Sequence, residues 1–404
     1  MTEITDFAEI LALAAGAVAL AVIATTLSGR LPIPAPAIFL VGAAVASDLW
    51  PRLYDLVPIL TVERIAVVAL IVILFNGGMD IGWRKFRASV GPISSLGIVG
   101  TFATAAVVAV FAHYVLGFGW TLAGIIGAAL APTDPAVVFS VLGGREVGGR
   151  SGTTLEGEAG VNDPAGIALM IGMIELATHD DASWFVVIRE FVVEMGVGAA
   201  LGLAGAAALL PVLRRVQLAA EGLYPVLALA VAGLLYSVTS LAHGSGFLAV
   251  FIAGLMLGDA PLPYKREIER FHGSLANLAE IVVFLALGLT VNLASFQTRD
   301  WVDGVALFIV LAVFARPLVV AATLAVARFS WSERVFIAWS GLKGAVPILL
   351  AAFAVLGEVA GAEHVYRIVF VVVLLSVLVQ GTLVPYVAAR LRIPMAERQL
   401  RPSS

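Results

Sequence analysis

Thr133-Asp134-Pro135 and Glu158-Ala159-Gly160-Val161-Asn162-Asp163-Pro164 set carboxylates and prolines inside two stretches that otherwise read as membrane spans. No other feature narrows the folds open to this chain as far. A charged side chain at the middle of a bilayer costs from about 2.5 kcal/mol to about 10 kcal/mol or more, depending on the reference state. A proline there removes an amide donor and leaves a carbonyl one turn back without its helical partner. A chain that carries both, twice, in neighbouring segments reads as one that builds an ion site within the membrane.

Composition supports the spans. The chain has 404 residues, 61% of them hydrophobic and only 13% charged, where a soluble domain carries about 25% charged residues. Cysteine is absent, which excludes disulfides, thiolate metal sites and cysteine catalysis. No basic, aromatic-interleaved surface points to nucleic acid. The acidic start and the long apolar run after it read as a span, not as a cleavable signal. Residues 1–392 read as one transmembrane domain and 393–404 as a short cytoplasmic tail.

A bilayer core takes roughly 20 apolar residues per helix. On that measure the fold class is an all-α polytopic membrane protein of about thirteen spans. They run over 7–28, 34–50, 61–79, 89–115, 119–142, 154–178, 184–213, 222–241, 246–259, 276–294, 302–327, 332–355 and 365–390. Seventeen basic residues follow odd-numbered spans and only Arg52, Arg299 and Arg367 follow even-numbered ones. The positive-inside rule then puts the C-terminus in the cytoplasm and the N-terminus outside.

Depth brings four charges to one level. Asp134 and Asp163 stand about nine residues from the inner ends of spans five and six, which at a rise of about 1.5 Å per residue is roughly 13 Å deep. Arg316 and Lys343, about eleven residues into spans eleven and twelve, lie roughly 16 Å deep on the same rise. Span twelve carries Gly341-Leu342-Lys343-Gly344-Ala345-Val346-Pro347, the counterpart of the Pro-interrupted Thr133-Asp134-Pro135 in span five. The two segments cross the membrane in opposite directions. Inverted repeats with two crossing discontinuous helices, spans five and twelve, are the sequence pointer to a transporter site. Glu158 and Asn162 are i and i+4 and share a helix face, while Asp163 is turned about 100° away. Carboxylate, hydroxyl and carbonyl oxygens suit a hard monovalent cation, and Thr133 and Asp134 offer the same donors. Glu190, Glu194 and Glu280 read as solvated helix ends, and the five histidines as interfacial residues.

These motifs, with Gly244-Ser245-Gly246-Phe247-Leu248-Ala249, resemble the monovalent cation/proton antiporters of the NhaP-like and sodium/proton exchanger group over nearly the whole chain. The resemblance implies a secondary active transporter with a dimerising scaffold and a mobile six-helix core, hence a homodimer. Na+ or K+ would exchange for H+ across the cell (inner) membrane in the service of pH homeostasis. In this reading Asp163 is the carboxylate for which cation and proton compete, and Asn162 is its structural partner. Asp134 and Thr133 complete the cation site, and Glu158 pairs with a basic residue, Arg316 first. Arg316 and Lys343 are the buried structural counter-charges. The Asn-Asp pairing implies electroneutral, one-for-one exchange by alternating access. No cofactor and no enzymatic step are implied. Two departures stand out: Ala159 replaces a serine that many relatives place after the glutamate, and Lys343 replaces an arginine. Two other functions are open to the sequence. An intramembrane aspartyl protease is echoed by Leu257-Gly258-Asp259, and a cation channel would want repeated pore-lining rings.

Overall fold

The computed structural model describes residues 2–28, 33–50, 57–142, 145–179 and 182–397. Arg30, Arg52, Arg398 and Arg401 of the charge count, and residues 398–404 of the tail, lie outside them.

The described chain is almost entirely helical. Helices α1 (Thr2–Ser28), α2 (Ala35–Leu49) and α3 (Ile59–Ile81) lead to the short α4 (Trp83–Ala88). A π-helical turn at Ser95–Gly100 joins α5 (Val90–Ser94) to α6 (Thr101–Tyr114). Next come α7 (Trp120–Leu130), α8 (Pro135–Val141), α9 (Gly149–Thr178), α10 (Trp184–Arg215), α11 (Leu223–Leu241), α12 (Gly246–Gly258) and α13 (Lys265–Leu289). A second π turn, Val310–Ala315, joins α14 (Thr298–Ile309) to α15 (Arg316–Thr323). After α16 (Trp331–Trp339) and α17 (Ala345–Leu356), a third π turn, Ser376–Gly381, joins α18 (Ala362–Leu375) to α19 (Thr382–Arg390). Two short strands, β1 (Arg145–Val147) and β2 (Met395–Glu397), pair antiparallel and tie the tail to the loop between α8 and α9.

Among the described residues seven helices are long and apolar enough to cross a membrane, and the bent pair α7–α8 makes an eighth. Four shorter apolar helices, three of them α2, α12 and α17, accompany them. The 30-residue α9 is long enough to span but too polar to pass that test. Its environment explains the polarity: every residue from Gly157 to Met170 is buried by neighbouring helices, so its polar groups never meet lipid.

Packing arranges the helices in two groups. In one, α3 lies against α12 and α13, with α2 and α11 alongside; Phe75, Phe251 and Phe284 are fully buried there. In the other, α7, α9 and α17 form the centre, with α6, α14, α15 and α18 around them. Helices α9 and α17 also touch α3, so the centre of the second group faces the first. In lipid, burial of apolar surface does not by itself drive helices together, so close packing and polar contacts must hold the groups.

Three sequence expectations meet the structure here. Span five is broken, with a 41° bend between α7 and α8, and span twelve is interrupted between Trp339 and Ala345. Pro164, by contrast, sits inside a continuous α9 and does not break it. One missing amide is tolerated where neighbouring helices surround the backbone, as they do along this stretch. Span ten begins earlier than residue 276: α13 starts at Lys265, because its first half is amphipathic and reads as loop when judged by hydropathy alone.

Candidate functional site

The two breaks meet face to face. Asp134 N donates to the Leu342 carbonyl at 2.8 Å, joining the first break to the second. A Cβ at Gly344 would overlap the Asp134 carboxylate, so only glycine allows this approach. Gly341 is constrained in the same way by the Arg316 side chain lying across it.

A break inside a membrane leaves backbone groups that must find partners in the protein. At the first break Lys343 Nζ donates to the Ala131 and Pro132 carbonyls at 3.0 and 2.9 Å. Asp134 caps α8 through its Oδ1, which accepts from Ala136 N at 2.9 Å, and the Ala345 amide at the start of α17 also reaches the carboxylate. An anion placed at two helix N-termini is held by both helix dipoles. At the second break Gln380 Nε2 donates to the Trp339 carbonyl at 2.7 Å, and Lys343 N donates to Ser376 Oγ at 2.8 Å. Gln380 and Ser376 belong to the third π turn. The other two π turns are equally close: one ends directly before Arg316, and the other packs on α9 and α15. Such turns re-aim side chains without ending the helix.

On α9, Asn162 and Glu158 present one face to Thr133. Asn162 Nδ2 donates to Thr133 Oγ1 at 2.7 Å, and Thr133 Oγ1 in turn faces Glu158 Oε1 at 3.5 Å. Arg316 donates to both Glu158 oxygens at 2.5 and 2.8 Å, a two-pronged pair buried on both sides. Charge-assisted bidentate bonds of this kind fix orientation as well as energy. A line of contacts therefore runs Asn162, Thr133, Glu158, Arg316, from α9 through the first break to α15.

Asp163 stands outside that line. It is buried, and among the described residues neither its Oδ1 nor the Asn162 Oδ1 has a hydrogen-bond partner. Asp134, Lys343 and Glu158 are the charges that act on the Asp163 carboxylate. A buried polar oxygen left without a donor is costly, and two of them next to a carboxylate and a hydroxyl offer the oxygen ligands a small cation wants.

All seven residues singled out from sequence thus gather around the crossing. Lys343 differs in detail from a counter-charge in an ion pair: its Nζ rests on carbonyl oxygens, and among the described residues Arg316 is the base that pairs with Glu158. Two participants went unnoticed in the sequence, Ser376 and Gln380, although two polar residues at i and i+4 in an otherwise apolar span are a readable signal. Asp259, the residue behind the protease alternative, accepts from Arg84 N and pairs with Arg84 Nε at 3.3 Å, serving as a cap at the start of α4. His364 and Arg367 of α18 both bind Asp300 of α14, at 2.5 and 3.0 Å, away from the crossing.

Comparison with known proteins agrees with the geometry. The family model described as the transmembrane region of sodium/hydrogen exchangers matches residues 17–390. The K(+)/H(+) antiporter NhaP2 of Shewanella sp. (strain ANA-3) is 34% identical over 387 residues, covering 95% of this chain and 67% of its own length. The K(+)/H(+) antiporter NhaP of Alkalimonas amylolytica is 34% identical over 377 residues, covering 93% of this chain and 65% of its own. The chain therefore spans about two thirds of the length of these relatives. In three dimensions it is similar to the sodium proton antiporter MjNhaP1 of Methanocaldococcus jannaschii at pH 8, with a TM-score of 0.80 at 22% identity, covering 95% of this chain and 99% of that one.

Proposed function

The chain belongs to the sodium/hydrogen exchanger family, a family of transporters and not of enzymes, and on that footing we propose that it exchanges a monovalent cation for a proton across a membrane. The observation that carries the reading is the buried, unpartnered Oδ1 of Asp163 beside two broken helices. Cation and proton compete for this carboxylate. Asp134, the Thr133 oxygens and the Asn162 carbonyl surround the cation, and Asn162 holds Thr133 in place. Glu158 and Arg316 brace α9 against α15, and Lys343 holds the first break, so these charges serve the frame. Rocking of the α7, α9 and α17 group against the α3, α12 and α13 group exposes the loaded site to either side, as in other transporters built on broken helices. A ligand drives such a change only through its different affinity for the two states. Because Asp163 is never stably empty and charged in the closed bundle, only the loaded site crosses, which couples the two fluxes.

K+ is the first cation to test, because relatives similar over nearly the whole chain are named K(+)/H(+) antiporters; Na+ is the second. Thirteen spans, an outer N-terminus, a cytoplasmic C-terminus, residence in the cell (inner) membrane as a homodimer and a role in pH homeostasis complete the reading. The charge asymmetry and the family support these.

The test is Asp163→Asn in proteoliposomes loaded with a pH-sensitive dye. The amide can neither take up a proton nor carry charge, so cation addition should produce no proton flux. Near-normal flux in the folded variant would reject the assignment. One carboxylate that binds either one proton or one monovalent cation also makes exchange electroneutral. A wild-type rate that tracks a voltage imposed with valinomycin would reject that stoichiometry.

A further inference from the structure

Glu280 is a half-buried acid that the crossing does not use. It is the sixteenth residue of the 25-residue α13, well inside the helix and not at its solvated end. Its Oε1 is buried and, among the described residues, bonded by no group, the same condition as the Asp163 and Asn162 oxygens. A carboxyl oxygen in that state is costly unless something else binds it. Helix α13 packs against α2, α3 and α17, and α17 begins beside Asp134. The charge that acts on Glu280 is that of Asp134. Two carboxyl groups on opposite sides of the contact between the two helix groups, within electrostatic reach of each other, invite a cation between them or a proton on one.

Polar groups of α3 face the same side of α13 as Glu280. On α3, Asn76 Nδ2 donates to Asp80 Oδ2 at 2.9 Å, one helical turn apart. A Cβ at Gly273 of α13 would lie 3.8 Å from Asn76 Oδ1, so the two helices face each other there. Glu280 follows Gly273 by seven residues, on the same helix face. Asp80 is exposed, while Asn76, Gly273 and Glu280 are all half-buried, with the Glu280 Oε1 itself buried.

We propose that Glu280 is a further cation-binding carboxylate of this protein, a waypoint contributed by α13 that receives a monovalent cation before it reaches Asp134 and Asp163. The proposal rests on the exchange function set out above. The step balances in charge: the neutral Glu280 carboxylic acid releases its proton as the cation arrives, and the carboxylate–cation pair is again neutral. Passing the cation on to Asp163 returns a proton to Glu280.

The experiment compares wild type, Glu280→Gln, Glu280→Asp and Asp163→Asn as full chains in dye-loaded proteoliposomes, with K+ and with Na+. Glu280→Gln should raise the apparent KM for the transported cation about tenfold, the change that loss of roughly 1.4 kcal/mol of binding produces. The maximal rate at saturating cation should stay near wild type, a split that a general structural defect would not give. Glu280→Asp, which keeps the carboxylate, should recover part of the affinity. An unchanged KM, or a loss of maximal rate at unchanged KM, would overturn the proposal. Should Glu280→Gln fail to fold, the wild type still decides: dicyclohexylcarbodiimide should label Glu280, as read by peptide mass spectrometry, and saturating cation should suppress the labelling. Labelling indifferent to the cation would overturn it as well. The Asp163→Asn arm separates the two ideas. If that variant is inactive while Glu280→Gln behaves as wild type, only the waypoint fails; if Asp163→Asn still transports, the central site fails.

Discussion

The two helix breaks at the crossing are built alike and charged oppositely. The α7–α8 break presents the bare carbonyls of Ala131 and Pro132 together with the carboxylate of Asp134; the α16–α17 break presents the Leu342 carbonyl and the Lys343 ammonium. Each supplies what the other lacks. Lys343 commits its ammonium to two carbonyls, and Arg316 commits its guanidinium to both oxygens of Glu158. Asp163 and Asp134 are less fully committed: among the described residues Asp163 keeps an oxygen with no partner, and Asp134 is only half-buried. Spare bonding capacity lies on the acidic side, which is where an incoming cation or proton needs it. The basic side is frame, the acidic side is site, and the two should respond differently to mutation.

The largest effect on stability should come from the best-made basic contact. Glu158→Gln and Arg316→Gln each strand a buried charge, which costs about 3–5 kcal/mol. Removing both should cost less than the sum, since neither charge is left alone. A double-mutant cycle followed by melting temperature in detergent measures the coupling, and strict additivity would show that the pair does not hold α9 to α15. Lys343→Met comes next. It leaves the Ala131 and Pro132 carbonyls without a donor, at about 1–3 kcal/mol for each unpaired group, partly offset because a buried charge is also removed. A melting temperature unchanged in Lys343→Met, with transport lost, would move Lys343 from frame to site and break the comparison.

How far sequence reached follows from the same division. Charges and prolines in apolar runs are conspicuous because each is costly in lipid, so Asp134, Asp163, Glu158, Arg316 and Lys343 could be picked out and brought to one depth by counting residues. Which base takes Glu158 was narrower than depth alone could decide, and the family resemblance supplied it. The partners of Lys343 were out of reach, because Ala131 and Pro132 contribute only backbone carbonyls and a carbonyl has no sequence signature. Pro164 removes an amide yet lies within a continuous α9, since the surroundings of a helix, and not its own sequence, decide whether a lost hydrogen bond is tolerated. Glu280 read as a helix end because hydropathy starts the span near residue 276, whereas the amphipathic stretch from Lys265 is already helix.

A smaller effect is expected at the capping residues of the second break. Gln380→Leu removes the donor to the Trp339 carbonyl and a neighbour of Ser376, and should lower stability by about 1–3 kcal/mol, the cost of one buried group left unpaired. Transport at saturating cation should persist, because Gln380 touches neither Asp163 nor Asp134. A variant that keeps its melting temperature but loses exchange would place Gln380 with the site.

Asp134→Asn should change stability least and so divides frame from site most cleanly. Asparagine caps a helix N-terminus about as well as aspartate, so the bond from Ala136 N to the side chain can be kept and α8 should start where it does now. The charge it loses was held by two helix N-termini, each contributing roughly 0.3–1 kcal/mol, and that loss is set against the relief of no longer burying an anion. The two nearly cancel, leaving a net change of less than about 1 kcal/mol. Transport should nonetheless fall, though less completely than in Asp163→Asn, because the amide can still offer an oxygen to the cation but no longer a charge. Melting temperature and dye-reported proton flux, measured side by side on Asp134→Asn and Lys343→Met, give the contrast directly. If Asp134→Asn melts as early as Lys343→Met, the acidic break is frame too. If it melts with the wild type and also transports with it, Asp134 is a cap and nothing more, and the cation site narrows to Asp163 and its neighbours on α9.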